Sequence, residues 1–250
     1  MILALDIGNS RTKLALFEKD TLIQHLILDT EKIKKEIENI LKKINSPVEI
    51  IVSSVGKWNS QNLKWLHNLG KTIIISPQTT MPFKNLYETP LSLGIDRMAL
   101  VAGAVLKYPL NNKLIIDAGT CITFDFVNKK NEYLGGSISP GIQLRYKSLN
   151  DYTDRLPLLT SKYPNTLIGN STTEAIHSGI INGILYELDG FINKYLDTYP
   201  NLTVILTGGD TDFLAKRLKS TIFANSNFLL ESLNSLHQYL IIENDKKNLP

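Results

Sequence analysis

Short apolar runs separated by polar turns dominate the first third of the chain. ILAL (2–5) and LALF (14–17) flank DIGNSRTK (6–13), a strand, tight turn and strand pattern. EKIKKEIENILKKI (31–44) sets Ile33, Ile37, Ile40, Leu41 and Ile44 on one helical face, with its lysines and glutamates on a solvated one. EIIVSS (49–54) and KTIIIS (71–76) are continuous apolar runs bounded by Pro, Gly and Ser, as expected of buried strands in a mostly parallel sheet. From Ile95 to Tyr108 the residues Ile95, Met98, Ala99, Val101, Ala102, Val105 and Leu106 predict an apolar helix stopped by Pro109. LIIDAGTC (114–121) and ITFDFV (122–127) repeat the strand, turn, strand pattern. Further on, Thr172 to Tyr199 has helical periodicity carried by Ile176, Ile180, Ile184, Leu188 and Phe191. There Gly179 and Gly183, one turn apart, suit close approach of another helix, within the fold or across a dimer. LTVILTGGD (202–210) predicts a buried strand ending in a glycine pair, followed by a helix over 211–219. NFLLESLNSLHQYLII (227–242) predicts a closing amphipathic helix and a frayed tail to Pro250.

The two hairpins are echoes of one another: LALDIGNS (3–10) and LIIDAGTC (114–121) share an apolar triplet, Asp, a small or apolar residue, Gly, then Asn or Thr. One such turn suits any hairpin, because Asp bonds its own backbone and Gly accepts positive φ. Two copies half a chain apart predict a duplicated α/β architecture, residues 1–110 and 111–250, with a nucleotide between the halves.

Composition narrows the function classes. The 250 residues are 43% hydrophobic and 20% charged, and the formal net charge of +3 comes from scattered lysines, so neither nucleic acid nor membrane is an expected partner. A single cysteine, Cys121, rules out an intramolecular disulfide and argues against a zinc site; with no membrane-length apolar run, a cytoplasmic protein is expected. Cys121 beside the second turn reads as a buried small residue, with redox sensitivity as the alternative.

The turns carry the chemistry. Backbone N–H groups around a glycine suit phosphate oxygens, and Lys13 adds a cation for them. Asp6 would repel phosphate without an intervening cation, so it points to Mg²⁺ held through water. The arrangement is not GxxxxGK[ST], since the turn leads into a strand. In DAGT, Asp117 and Thr120 offer a second acid and hydroxyl. TPLSLGIDRM (89–98) places Asp96 and Arg97 on the first turn of the apolar helix, after Gly94. Asp96 there fits either an acid favoured by the helix dipole or a base that accepts a hydroxyl proton during phosphoryl transfer.

Taken together and in order, DIGNSRTK, LGIDR, DAGTCITFDF, GGSISPGIQLRYKSL, GNSTTEAIHSG and TGGD resemble type III pantothenate kinases over residues 2 to about 215. The resemblance implies an actin-like ATPase fold of two ribonuclease-H-like domains with the active site in the cleft between them. It also implies a homodimer, ATP with Mg²⁺, a monovalent cation (K⁺ or NH₄⁺), and transfer of phosphate to pantothenate at the start of coenzyme A synthesis. Carried onto this sequence, the ATP-binding loop is Asp6, Ile7, Gly8, Asn9, Ser10, Arg11, Thr12 and Lys13, with Thr120 as a second phosphate contact. Asp6 lies near Mg²⁺, and Asp117 is the monovalent-cation ligand. Asp96 is the general base, and Tyr87, Gly94, Ile95, Asp96, Arg97 and Thr172 bind pantothenate, with Thr173 as a neighbouring register for the last. TGGD (207–210) falls on the adenosine side. Ser10 replaces a more usual threonine and keeps the hydroxyl. Two other readings stay open: a kinase of another small substrate on the same fold, and a nucleotide-binding regulator without turnover.

Overall fold

A computed structural model describes every residue except 9, 10, 45, 55–57, 59 and 248–250. The chain divides into two compact units, residues 1–109 with 131–133 and 227–250, and residues 110–130 with 134–226.

In the first unit β1 (Ile2–Ile7), β2 (Arg11–Glu18) and β3 (Thr21–Asp29) form an antiparallel meander; β4 (Glu49–Ser54) and β5 (Thr72–Ile74) extend the sheet in parallel on the other side of β1, giving the order β3-β2-β1-β4-β5. Apolar side chains at both phases of β1 and β4 place these strands at the buried centre of the sheet. Helix α1 (Ile33–Leu41) follows a short 3-10 turn and buries Ile33, Ile37 and Ile40 on the predicted face. It packs into a core with Leu3, Leu5, Ile7, Leu14, Leu16, Ile50 and Val52. Helix α2 (Ser60–Leu69) precedes β5, and β6 (Lys84–Asn85) leads to α3 (Ile95–Lys107). Residues 97–105 of α3 are all buried, so this helix is covered nearly all round.

In the second unit β7 (Asn112–Ala118) and β8 (Cys121–Val127) make the repeated hairpin, and β9 (Glu132–Pro140) follows. Helix α4 (Ile142–Asp151) comes next, then α5 (Thr172–His177), a π-helical turn (Ser178–Asn182) and α6 (Gly183–Thr198). β10 (Leu202–Thr207), α7 (Thr211–Ala215) and β11 (Phe223–Ala224) complete the unit. The sheet order is β11-β10-β7-β8-β9, with β6 pairing to Glu132 and Tyr133, the part of β9 that belongs to the first unit. The duplication is structural: β1 and β7 each pair antiparallel with the next strand and parallel with a strand on the other side, β4 or β10.

Helix α8 (Phe228–Lys247) differs from the expected halves, because it belongs to the first unit and not to residues 111–250. Its Leu229, Leu230, Leu233 and Leu236 are buried, and it packs against α3 and β1. Gly103 of α3 permits this approach, since a Cβ there would come 2.0 Å from Ser232 Oγ. The helix continues past the expected end at 242, and α7 stops at Ala215 instead of 219.

Candidate active site

Asp6 is the penultimate residue of β1, opposite Lys13 in β2 and Ser53 in β4. The turn after it is closed by the Gly8 N–H donating to Arg11 O at 3.0 Å, and a Cβ on Gly8 would stand 2.8 Å from that same oxygen. Asn9 and Ser10 lie outside the described residues. Ile7 is in the core, Arg11 is exposed, and Thr12 is buried with its hydroxyl donating to Thr30 Oγ1 (3.2 Å), which in turn donates to Gly8 O (3.5 Å). Thr12 therefore supports the turn from beneath.

Burial pushes the Asp6 carboxyl up to about 6; Lys13 opposes this, the negative Asp96 adds to it, and the Ser53 hydroxyl favours the charged form. Two carboxylates from a strand end and a helix start thus face the same space. Such a pair fits a divalent cation, which supplies the positive charge that Lys13 alone does not. Among the described residues no three His, Cys, Asp or Glu side chains converge as a closed metal cage.

Gly94 is the N-cap of α3, and Asp96 Oδ1 accepts the Arg97 N–H at 2.8 Å. A Cβ on Gly94 would lie 2.5 Å from Asp96 Oδ1, so glycine here is what lets the carboxylate fold back over the helix start. Ile95 is half-buried beside it. Arg97 is 7% exposed; its Nη2 donates to Tyr133 Oη at 2.9 Å and its guanidinium carbon is 5.8 Å from the centre of the Tyr87 ring. Asp6, Asp96, Arg97 and Tyr87 all belong to the first unit.

The second turn repeats the first with one residue fewer. Asp117 is the penultimate residue of β7, opposite Thr123 and Thr207, and the Gly119 N–H donates to Cys121 O at 2.9 Å. Thr120 is exposed at the turn. Two glycines press on it from outside. A Cβ on Gly141 would be 2.0 Å from Gly119 O, and one on Gly208, at φ +100°, would be 2.3 Å from Ala118 O and 2.4 Å from Asp117 Oδ1. Gly141 N–H donates to Thr120 O and Asp210 N–H to Ala118 O, both at 3.0 Å. The glycine of SPG (139–141) and the first glycine of TGGD are thus walls of this turn. Burial raises the Asp210 carboxyl above its ordinary value. Cys121 is exposed, correcting the expectation of a buried residue; it begins β8 on the alternation phase opposite to buried Ile122.

Thr172 is the first residue of α5, whose N-cap Ser171 accepts the Glu174 N–H at 3.2 Å. It lines an open cavity of about 660 Å³ with Arg145, Ser148, Leu149, Leu156 and Ile176, all in the second unit; Thr173 is not part of that lining. Two residues escaped the sequence reading. Arg145 donates to Pro140 O and Ser139 Oγ, both at 2.8 Å, and pairs with Glu187, which anchors α4 to the SPG segment. Tyr133 had no visible signal, since a tyrosine in an alternating strand reads as core.

Comparison with known proteins agrees with these motifs. A family model described as type III pantothenate kinase matches residues 2–194. A type III pantothenate kinase of Flavobacterium johnsoniae is 50% identical over 245 residues, covering 98% of this chain and all of that one. Among solved structures, a Campylobacter jejuni protein proposed to be a conserved Baf family transcriptional activator is similar at TM-score 0.60 and 25% identity, over 98% of this chain and 99% of that one. An activator of 2-hydroxyisocaproyl-CoA dehydratase from Clostridium difficile, with ADPNP bound, shares the fold at TM-score 0.52 and 12% identity, over 100% and 98% of the two chains. With the repeated hairpin, the Gly94–Arg97 helix start and full-length relatives in agreement, the chain belongs to the type III pantothenate kinase family.

Proposed function

We propose that the protein transfers the γ-phosphoryl group of ATP to the primary hydroxyl of pantothenate, giving 4'-phosphopantothenate for coenzyme A synthesis. The observation that carries this reading is the start of α3: Gly94 makes room for the Asp96 carboxylate, and Arg97 is held beside it by aromatic partners. Asp96 is the general base. As the hydroxyl oxygen bonds to phosphorus and the bond to ADP breaks, the hydroxyl proton passes to this carboxylate; Oδ1 is held by the Arg97 N–H, which turns Oδ2 to that task. Arg97, Tyr87, Gly94, Ile95 and Thr172 bind pantothenate.

The loop Asp6 to Lys13, with Lys13 as its cation, and Thr120 hold the ATP phosphates. A divalent metal would neutralise phosphate charge; buried Asp6, with Lys13 opposite it and the Asp96 carboxylate near, would hold it as Mg²⁺ through water. Asp117, with Gly208 closing on its oxygen, holds the monovalent cation, K⁺ or NH₄⁺. Exposed Leu158, Leu167 and Ile168 in the second unit support a homodimer. No helix among the described residues is long and apolar enough to cross a membrane, and a cytoplasmic enzyme without nucleic-acid or membrane partners is the reading adopted.

An ADP-coupled assay tests it. ADP formation is expected only with pantothenate, faster in K⁺ than in Na⁺, and lowered about 100-fold or more by Asp96→Asn. Turnover indifferent to pantothenate overturns the substrate; ATP binding without any turnover favours a regulator, the role suggested for the Campylobacter relative. Equal rates in the two salts overturn the role of Asp117.

A further inference from the structure

Tyr133 reaches the candidate acceptor site from a distant part of the sequence. It is fully buried, within the tripeptide 131–133 that packs in the first unit. Its main chain fixes the segment that carries Tyr87: Lys84 N–H donates to Asn131 O at 2.9 Å, and Leu86 N–H to Tyr133 O at 3.0 Å. Its ring meets the Tyr87 ring at 5.9 Å between centroids, tilted by 38°, and Phe83 backs it edge-on at 6.1 Å. Its phenol oxygen takes the hydrogen bond from Arg97 Nη2 at 2.9 Å.

A guanidinium is a rigid plane of five donors, so bonding one edge and covering one face fixes the direction of the remaining donors. Tyr133 supplies the edge contact, and Tyr87, itself set by Tyr133, supplies the face. We infer that Tyr133 is a positioning residue for pantothenate recognition, acting through Arg97 and Tyr87 without touching the substrate. The inference rests on the proposed kinase reaction and adds a residue that neither the LGIDR motif nor the phosphate loops contain.

The test is Tyr133→Phe in the full chain, which keeps the ring and removes the hydroxyl that fixes Arg97. KM for pantothenate is expected to rise about 10-fold, the scale of a lost bond to a charged group, while kcat, KM for ATP and melting temperature hold. Arg97→Lys and the double variant complete a cycle: if Tyr133 acts through Arg97, adding Tyr133→Phe to Arg97→Lys raises KM no further. An unchanged KM for pantothenate in Tyr133→Phe overturns the inference. So does a joint fall of kcat and stability, or a protein that does not fold, because the hydroxyl then serves the core. Wild-type protein without pantothenate-dependent turnover fails earlier, and refutes the kinase reading instead.

Discussion

Asp6 shows what one residue gives up for a phosphate site. Its carboxyl titrates near 6 in the folded protein against 3.8 as its ordinary value, so between those pH values the folded state holds the proton more tightly. Asp6 therefore costs no stability below about pH 4, and its burden grows as pH rises through 6, reaching on the order of 3 kcal/mol at neutral pH without a cation. Asp6→Asn is expected to stabilise the ligand-free protein by about 1–3 kcal/mol at pH 7.5, with the gain vanishing below pH 4, while turnover with Mg·ATP is lost. Urea unfolding at several pH values measures this; equal or lower stability of the variant at pH 7.5 refutes it. The identity of this acid was legible in the sequence, because Asp before a glycine turn among phosphate-suited groups needs a metal. Its neighbour was not: that Asp96 stands close enough to raise it depends on where α3 docks, about which spacing along the chain says nothing.

Among the elements, the hairpins and α3 were legible because their apolar phases are clean over whole strands or turns. β3 was not: as an edge strand paired only to β2, it exposes Leu22, Ile23 and Ile27 and so shows no alternation. The reason for the glycines lies likewise between elements. Gly208 sits where β10 ends against the end of β7, in a backbone conformation and a space that only glycine fits, whereas a Cβ on the adjacent Gly209 meets nothing within 4 Å. Gly208→Ala is expected to cost about 1–3 kcal/mol and to raise the K⁺ concentration for half-maximal activity several-fold, with Gly209→Ala within about 0.5 kcal/mol of wild type. Melting curves and K⁺ titrations of the pair decide it; equal behaviour of the two variants removes the turn wall as a functional part.

For the whole molecule, duplication was visible in DIGN and DAGT, yet the path of the chain was not. A helix pattern tells which face is apolar, not which sheet receives it, and α8 proves to complete the first unit. It buries Phe228, Leu229, Leu230, Leu233, Leu236 and Leu240, each side chain contributing about 1.5–3 kcal/mol, a sum comparable with the whole stability of a typical domain. A chain ending at Ser226 is therefore expected to lose near-ultraviolet circular dichroism and soluble yield; a soluble truncation with native near-ultraviolet signal and pantothenate turnover contradicts this placement. The same connectivity bears on synthesis. Chains emerge from the ribosome amino end first, and domains ordinarily fold in that order. Here the phosphate loop is made before the whole of the second unit, but α3 and β1 stay without their cover until α8 is translated. The first unit is begun before the second and finished after it, so the nascent chain carries an open apolar face while residues 110–226 are made, and holding that face soluble is a task for its folding partners.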